Sequence, residues 1–533
     1  MVSLDLSLLR KEKVEIRDYQ LKAAERLFEA QKLLVVMPTA LGKTFIAILA
    51  IAHLLKTQPK KILFLAPTKP LVLQQAKRLQ ELIDTVEETA VVTGEVSPEA
   101  RKKQYVTATV ICATPQTINN DLKKGLLSLH DFALVVFDEA HRAVGDYAYV
   151  PIGERVKKTG SLVLALTASP SSDKKKVAEV CLGLGINAIE VKTLQDEEVQ
   201  QFANDVKVFW EFVDLPPELV SLRSGLKALL AEPVGKLGAS GFMSAKENVS
   251  RKELLMLRQK FLGLSKRNPS FYQLLSVVAK AMNLAHAIDL LESEGVRALY
   301  EFLHGFNERK SQTRAVAQLA ADPRIKIIEK DCEALLQKDI DHPKMVKLKE
   351  IVSKTAGSKK TVIVFAHYRD SVTEIVSQLN SLPGVKAKSL VGRAGGGMNQ
   401  KQQHGVVESF RDSEFNVLVA TSVGEEGLDI PSVDLVIFYE AVPSEIRLIQ
   451  RRGRAGRAKV GEAVVLVTKG TKDEAYLWLS RQKEKTMLKH MRHLQGSSRL
   501  QVGEEPSVEE IPGPIIPEKP KKKGQTSMSD FLG

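Results

Sequence analysis

Short apolar runs alternate with longer amphipathic stretches in two separate blocks of this chain. In the first block, between about residues 16 and 205, the runs lie at 33–37, 61–66, 109–113, 133–137 and 162–166. In the second block, after about residue 345, they lie at 361–366, 417–420, 435–439 and 463–467. Such alternation is typical of the strands and helices of parallel α/β sheets. The sequence therefore predicts two doubly wound α/β domains.

Between the two blocks, from about residue 206 to 340, the strand rhythm stops. Apolar residues there recur at helical spacing, as in Leu254, Leu257 and Phe261. After about residue 495 the chain becomes rich in Gly, Pro, Glu and Lys, which predicts a flexible tail. The predicted domains are an α/β domain over 1–205, a helical insertion over 206–340, a second α/β domain over 341–495 and a tail over 496–533.

The chain carries a formal net charge of +13 over 533 residues. This charge favours a polyanionic partner such as nucleic acid, although it is also compatible with a basic surface that serves only solubility. Basic residues of the helical insertion could follow a phosphate backbone or could form a solvated helix face. They are Lys246, Arg251, Lys252, Arg258, Lys260, Lys266 and Arg267.

The N-terminus and the cysteines indicate an intracellular protein. No basic region followed by an apolar core and a cleavage site is visible at the N-terminus. Cys112, Cys181 and Cys332 are far apart in the sequence, so neither a zinc site nor a disulfide framework is indicated. The apolar run from Phe45 to Leu55 is shorter than the roughly 18 residues of a membrane span, and we expect a buried helix there. We expect a cytoplasmic protein, associated with the nucleoid if its source is archaeal, with no membrane partner.

A phosphate-binding loop is predicted directly after the first apolar run. Residues 38–44 read Pro-Thr-Ala-Leu-Gly-Lys-Thr, and Met37 stands where the usual pattern has its first glycine. Backbone N–H groups of such a loop, including that of Thr39, receive phosphate oxygens, with Gly42 allowing the tight turn. Lys43 would neutralise the β- and γ-phosphates, and the hydroxyl of Thr44 would coordinate Mg²⁺.

Two adjacent carboxylates follow the apolar run 133–137. Asp138 is predicted to hold Mg²⁺, while Glu139 is placed to orient and deprotonate the attacking water. His141 is expected to link the nucleotide to the facing domain. The hydroxyl-bearing segment Thr167-Ala168-Ser169, which follows another strand, could hydrogen-bond the carboxylates or form an ordinary turn. Together with the phosphate loop, the carboxylates predict a nucleoside triphosphatase that uses ATP and Mg²⁺.

Two further groups complete the predicted nucleotide site. Arg17 and Gln20 precede the first strand, and the Gln20 amide suits the donor–acceptor edge of adenine. In the second block, Gln450, Arg454 and Arg457 belong to the segment Gln-Arg-Arg-Gly-Arg-Ala-Gly-Arg. These arginines are candidates for stabilising the charge of the transition state, although a dense arginine cluster could instead be a nucleic-acid patch.

The order of these motifs resembles that of a superfamily 2 helicase with two RecA-like domains. The resemblance spans residues 16–485 and adds the motifs Ala66–Pro70, Ala113–Gln116 and Thr421–Asp429. It implies that a set of polar residues contacts the nucleic-acid backbone: Thr68, Lys69, Thr114, Gln116 and Thr421. It also implies that Gly427 and Asp429 lie near the nucleotide.

The helical insertion and the segment His342-Pro343-Lys344 are most similar to archaeal Hef and its eukaryotic relatives FANCM and Mph. This resemblance implies an ATP-driven helicase or translocase acting on forked or branched DNA. Many Hef proteins carry a nuclease domain after the helicase, and we expect none in this chain. One alternative is an ATPase of the Dicer or RIG-I type that recognises double-stranded RNA by its shape. Another is a nucleic-acid clamp that uses ATP as a switch without hydrolysing it.

The last residues, Gln525-Thr526-Ser527-Met528-Ser529-Asp530-Phe531-Leu532, resemble a PCNA-interacting peptide. Gln525, Met528, Phe531 and Leu532 would be gathered on one side by a single helical turn. A peptide of this kind on a flexible tether would raise the local concentration of the protein at a sliding clamp. An unstructured end without a partner is the alternative.

Overall fold

The structure is a computed structural model of the chain. It describes residues 3–38, 41–84, 89–168, 174–193, 196–200, 207–243, 249–265, 271–308, 313–356, 360–392, 397–421, 431, 433–440, 462–478 and 486. Two parallel β-sheets, each flanked by helices, are joined through a helical bundle. The predicted α/β fold class is confirmed.

The first sheet has the strand order β3-β4-β2-β5-β6-β1-β7, and its paired strands are all parallel. Its strands are β1 (Lys32–Val36), β2 (Lys61–Leu65), β3 (Thr89–Val92), β4 (Val110–Ala113), β5 (Phe132–Asp138), β6 (Leu162–Thr167) and β7 (Ala188–Val191). Its helices are α1 (Asp18–Ala30), α2 (Lys43–Thr57), α3 (Lys69–Leu82), α4 (Pro98–Thr107), α5 (Pro115–Lys123), α6 (Tyr149–Val156), α7 (Lys174–Leu184) and α8 (Glu197–Gln200).

Two apolar layers hold this sheet between its helices. All seven residues of β5 are buried, as parallel strands covered on both faces require. Helix α2, which contains the apolar run 45–55, is a buried core helix as predicted. Since the strands are parallel, the phosphate loop after β1 and the carboxylates after β5 lie at the same edge of the sheet.

The second sheet has the order β10-β11-β9-β12-β13-β8 and is also parallel in its paired strands. Its strands are β8 (Lys207–Val213), β9 (Val362–Phe365), β10 (Ala387–Leu390), β11 (Val417–Ala420), β12 (Leu435–Phe438) and β13 (Glu462–Thr468). The accompanying helices are α15 (Pro343–Ala356), α16 (Arg369–Asn380) and α17 (Gln400–Arg411).

Strand β8 corrects the expectation that the strand rhythm stops at about residue 206. All seven of its residues pair with β13, so it forms one edge of the second sheet although the bundle separates it from the other strands in sequence. The chain thus enters the second sheet, leaves it to form the bundle, and returns at α15. The helical bundle is therefore an insertion within the second α/β domain.

The bundle consists of α9 (Pro217–Ala239), α10 (Arg251–Ser265), α11 (Phe271–Ser293), α12 (Val296–Glu308), α13 (Arg314–Ala320) and α14 (Pro323–Gln337). Its core includes apolar residues whose helical spacing in the sequence predicted these helices, among them Leu254, Leu257 and Phe261. Among the described residues, α11 alone has the length and apolar composition of a candidate membrane span. It packs against α9 and α10, and Leu284, Ile288 and Leu291 lie in the bundle core, which is the environment of a core helix.

Candidate ATP site and nucleic-acid interface

The phosphate loop leaves the carboxyl end of β1, which lies between β6 and β7 in the sheet. Gly42 adopts a left-handed conformation, with φ +73°, immediately before α2. A Cβ atom at this position would lie 2.5 Å from Nε2 of Gln20. The backbone conformation therefore favours glycine here, and any other residue would also have to displace the Gln20 amide. Thr39 lies outside the described residues.

Lys43 begins α2 and is 5% exposed. Its Nζ atom donates to the carbonyl of Met37, at 2.8 Å, so the ammonium group crosses beneath the loop. Thr44 follows in the first turn of the same helix and is partly exposed. The helix N-terminus, the buried ammonium group and the hydroxyl together form a site suited to a phosphate chain.

The start of α1 is hydrogen-bonded to this loop. The Tyr19 hydroxyl and Nε2 of Gln20 both donate to the Leu41 carbonyl, at 3.0 and 2.9 Å. The Arg17 backbone N–H donates to Oε1 of Gln20 at 3.3 Å, and its guanidinium donates to the Tyr19 hydroxyl at 3.1 Å. Arg17 and Gln20 thus lie at the loop. The contact between Gln20 and adenine stays a prediction, for which the amide retains a second donor hydrogen and a second lone pair.

Asp138 ends strand β5 and is 7% exposed. Burial raises the pKa of its carboxyl to about 7, the neighbouring Glu139 adds to the rise, and Lys43 opposes it. One carboxylate oxygen, Oδ1, accepts from the Glu139 backbone N–H at 3.0 Å. A carboxylate removed from water in this way is stabilised in its charged form by a nearby cation.

Glu139 takes a left-handed conformation, with φ 51°, which turns the chain out of the sheet into the short helix Ala140–Arg142. Nδ1 of His141 lies 3.3 Å from Oε2 of Glu139 and 3.1 Å from the Thr167 hydroxyl. Thr167 ends β6, the strand between the carboxylates and the phosphate loop. It therefore connects to Glu139 through the histidine ring. Ser169 lies outside the described residues.

The residues at this edge fit a nucleotide-bound Mg²⁺. Within the described ranges, no group of three or more His, Cys, Asp or Glu side chains is arranged to hold a metal by itself. Mg²⁺ is commonly bound by one or two carboxylates together with substrate phosphates and water, so such a group is not needed. Thr44 and the buried carboxylate of Asp138 offer the oxygen ligands that this ion prefers.

Four of the expected nucleic-acid contacts lie after the neighbouring strands β2 and β4. Thr68 precedes α3 and Lys69 begins it, while Thr114 precedes α5, whose first turn carries the exposed Gln116. Thr421 follows β11 in the second sheet and is 6% exposed. The structure thus places the first four at one edge of the first sheet. A nucleic-acid contact by any of the five stays a prediction.

Several expected site residues lie outside the described residues, and their roles stay predictions. They are Gly427, Asp429, Gln450, Arg454 and Arg457 near the nucleotide, and Gln525, Met528, Phe531 and Leu532 in the terminal peptide. Of the basic residues in the insertion, Lys246, Lys266 and Arg267 also lie outside this part of the chain. The others, Arg251, Lys252, Arg258 and Lys260, are exposed on α10.

Two residues at the site were missed by sequence reasoning. The buried Tyr149 hydroxyl reaches the carbonyls of Asp138, at 2.6 Å, and of Leu65, at 3.2 Å. Gln75, 5% exposed on α3, points its amide nitrogen toward Oδ2 of Asp138 at 3.5 Å. A tyrosine near a helix start and a glutamine on an amphipathic helix carry no recognisable motif. Only the fold brings them to the carboxylate.

Comparisons with known proteins agree with this geometry. The family model described as "DEAD/DEAH box helicase" matches residues 17–177, and "Helicase conserved C-terminal domain" matches residues 343–459. The crystal structure of the Pyrococcus furiosus Hef helicase domain matches with a TM-score of 0.71 and 42% identity, over 89% of this chain and 100% of that one. The chain belongs to the Hef family of superfamily 2 helicases.

A third model, described as the helical bundle of an ATP-dependent RNA helicase, matches residues 218–342 of the helicase. That range begins after β8, in agreement with the placement of β8 in the second sheet. The models at 17–177 and 343–459 cover the sequence motifs on which the family resemblance rests. The predicted family is therefore confirmed.

Curated relatives extend the likeness. They include "Putative ATP-dependent RNA helicase MJ1505" of Methanocaldococcus jannaschii, 38% identical over 91% of this chain and 62% of that protein. The "ATP-dependent DNA helicase mph1" of Neurospora crassa is 34% identical over 86% of this chain and 42% of its own length. The "ATP-dependent DNA helicase fml1" of Schizosaccharomyces pombe is 33% identical over 87% of this chain and 58% of its own length. The helicase spans about half of the length of these relatives.

Proposed function

We propose that this chain is an ATP-hydrolysing DNA helicase or translocase that remodels or unwinds forked and branched DNA in replication-fork repair. The observation that carries the proposal is the joining of a phosphate loop and the Asp138–Glu139 turn at one sheet edge. This arrangement occurs in a chain that is 42% identical to the Hef helicase domain. The relatives mph1 and fml1 are named DNA helicases, which supports DNA as the substrate.

The residues divide the chemistry of hydrolysis among them. Lys43 and the loop N–H groups bind the phosphates, and Thr44 and Asp138 would hold Mg²⁺. When bound, that ion would offset the charge of the phosphate oxygens. Glu139 orients the attacking water and receives its proton. His141 and Thr167 fix the direction of Glu139 through the contacts at 3.3 and 3.1 Å.

The remaining charge is proposed to come from the second predicted α/β domain. Arg454 and Arg457, with Gln450, are proposed to act on the phosphates when the two domains close, and Gly427 and Asp429 are proposed to act near the nucleotide. An arginine in this role accelerates hydrolysis by about 10³–10⁵-fold. The backbone of the DNA strand runs over Thr68, Lys69, Thr114 and Gln116 of the first sheet and Thr421 of the second.

A double-stranded-RNA-dependent ATPase is the second candidate. The M. jannaschii relative and the helical-bundle family both carry RNA helicase in their names, and this favours the second candidate. A clamp that binds ATP without hydrolysing it ranks below both, because Glu139 retains a position beside Asp138 suited to a catalytic base.

The ATPase rate distinguishes these functions when it is measured with single-stranded DNA, forked DNA, four-way junctions and double-stranded RNA at one salt concentration. We expect forked and branched DNA to stimulate the rate most. Selective stimulation by double-stranded RNA would favour the second candidate. The salt concentration is held constant because contacts to phosphates weaken steeply as salt rises.

The terminal peptide is proposed to bind the sliding clamp PCNA through Gln525, Met528, Phe531 and Leu532. Deleting residues 525–533 should leave the ATPase rate unchanged and abolish capture by immobilised PCNA. Equal capture of the full chain and the deleted chain would refute this role. The proposed place of action is the cytoplasm, and the nucleoid if the source is archaeal.

A further inference from the structure

Among the described residues, the buried amide of Gln75 is the side chain of helix α3 that lies within hydrogen-bond distance of the Asp138 carboxylate, on which Arg78 of the same helix acts through its charge. Its Nε2 atom lies 3.5 Å from Oδ2 of Asp138. This separation is long for a hydrogen bond, which is typically about 2.9–3.0 Å between nitrogen and oxygen. A shift of either group by about 0.5 Å would therefore complete the bond or break it.

The oxygen atom of the same amide, Oε1, makes glutamine unfavourable for the stability of the fold at this position. Among the described residues no hydrogen-bond partner is found for the buried Oε1 of Gln75. An unsatisfied buried acceptor lowers stability relative to an apolar side chain of the same size. Gln75 lies among the apolar contacts of α3, where Val72, Ala76 and Leu79 are also buried. Packing does not explain an amide at this position.

Helix α3 connects this amide to the proposed nucleic-acid edge. The helix begins at Lys69, directly after Thr68, and Gln75 lies six residues further on, or roughly 9 Å along the axis at about 1.5 Å per residue. One continuous helix transmits an axial displacement with little loss over such a length. Movement at Thr68 and Lys69 therefore reaches the amide beside Asp138.

A second contact joins the same two places. The Tyr149 hydroxyl faces the carbonyl of Asp138 on β5 and that of Leu65 on β2, three residues before Thr68. The two strands are neighbours, with Leu65 paired to Phe137. Tyr149 therefore keeps the carboxyl ends of β2 and β5 at a fixed distance from each other. A movement of α3 then changes the distance from the Gln75 amide to the Asp138 carboxylate.

We propose that Gln75 is a positioning residue that couples nucleic-acid binding at the start of α3 to the orientation of the Asp138 carboxylate. The inference deepens the proposed function, because it takes Thr68 and Lys69 as contacts to the DNA backbone. Its consequence is thermodynamic. When a bound nucleotide changes the orientation of the Asp138 carboxylate, the affinity for DNA changes. By linkage, DNA changes the affinity for nucleotide by the same factor.

The test measures binding instead of turnover. The Kd of the full chain for fluorescent single-stranded DNA is determined without nucleotide and with saturating Mg²⁺ and a non-hydrolysable ATP analogue, and the ratio of the two is the coupling factor. We expect a factor of about fivefold or more in the wild type. Gln75→Met keeps the length of the side chain and removes the amide, and should bring the factor to within about twofold of one.

Two further variants make the test specific. Gln75→Asn keeps an amide that is too short to reach Asp138, so it should lose the coupling as Gln75→Met does. Gln80→Met lies on the exposed face of the same helix and should keep the wild-type factor. The melting temperature of Gln75→Met should equal or exceed that of the wild type, whereas a purely structural glutamine would lower it.

The outcomes separate this inference from the proposed function. If the wild-type chain binds no DNA under either condition, the proposed function fails. If it binds DNA and Gln75→Met retains the wild-type coupling factor, the proposed function stands and the coupling role of Gln75 is overturned. A wild-type factor of one with measurable DNA binding also overturns that role.

Discussion

At the residue scale, Glu139 is the side chain on which hydrolysis depends most directly. Glu139→Gln preserves the volume of the side chain and removes the base, so the ATPase kcat should fall by about 10²–10⁴-fold. The Kd values for nucleotide and DNA should remain close to those of the wild type, as fluorescence titration would measure. The exposed Glu154→Gln serves as the control. Near-normal turnover in Glu139→Gln would remove Glu139 from the role of base.

Gly42 offers a second test at this scale. In Gly42→Ala the new methyl group meets the Gln20 amide at 2.5 Å and the backbone is held at φ +73°, so the loop or Gln20 must move. We expect nucleotide affinity to weaken by about tenfold, equivalent to about 1.4 kcal/mol, within the usual cost of such strain. Gly160→Ala, where no atom lies within 4 Å of the added carbon, should leave affinity unchanged. Isothermal titration would measure both variants.

Most of the residues that sequence reasoning found at the ATP site follow a strand in the chain. Asp138 and Glu139 come at the end of β5, Lys43 follows β1 after the phosphate loop, and the carboxyl ends of parallel strands meet at one edge. Gln75 contacts Asp138 from α3, 63 residues earlier in the chain, and Tyr149 contacts it from the start of α6, 11 residues later. Their part could not be predicted, because it depends on how those helices pack against the sheet.

At the element scale, all nine of the short apolar runs that predicted strands form strands. The strands that were missed are β3, β7, β8 and β10. Strand β10 consists of four residues, Ala-Lys-Ser-Leu, of which only the first and last are buried. It therefore contains no apolar run that would predict a strand. Strand β8 is apolar but lies at the edge of a sheet whose other strands begin about 150 residues later, which local periodicity does not reveal.

The edge position of β8 makes a prediction about local stability. Trp210 on β8 packs against the core of the second sheet, so Trp210→Ala should cost about 2 kcal/mol, less than the loss from a fully buried tryptophan. Amide exchange of β13 should then quicken by roughly 30-fold, while β5 and β6 of the first sheet remain protected. Phe209→Ala, whose side chain is 44% exposed, is the matched control. Unchanged exchange in β13 would contradict the pairing of β8 with β13.

At the scale of the whole molecule, polar contacts join the helical bundle to the second α/β domain. Within that domain Lys344, at the start of α15, is fully buried and its Nζ lies 2.5 Å from Oδ2 of Asp473. The Arg223 guanidinium donates to the Gly470 carbonyl at 3.2 Å, and Lys472 pairs with Asp289 of α11. Removing one partner of the buried pair Lys344–Asp473 is costly. The Arg223 and Lys472 contacts are partly exposed and add a weaker link between the bundle and the domain into which it is inserted.

Glu440 gives this interface a pH dependence. It is buried after β12, and burial raises the pKa of its carboxyl to about 8, with Lys344 opposing the rise and Glu294 and Asp473 adding to it. Between pH 4.5 and 8 the folded chain keeps a proton that the unfolded chain releases, so stability falls as pH rises, by up to about 1.4 kcal/mol per pH unit.

Glu440→Gln should remove that part of the slope. The variant should gain stability over the wild type as pH rises from 4.5 to 8, because the amide keeps an oxygen for the His367 N–H and carries no charge. Thermal unfolding measured across this range would show it. The exposed Glu462→Gln in the same sheet should follow the wild-type curve. Parallel curves for the wild type and Glu440→Gln would contradict the buried proton.

The proposed motor is tested most directly by strand separation on a fluorescently labelled DNA fork, followed in real time with the wild-type chain and with Glu139→Gln. We predict that the wild type separates the fork only when both ATP and Mg²⁺ are present. Glu139→Gln should bind the same fork with similar affinity and separate none of it. Separation without ATP, or equal separation by Glu139→Gln, would contradict a motor driven by hydrolysis at the Asp138–Glu139 turn.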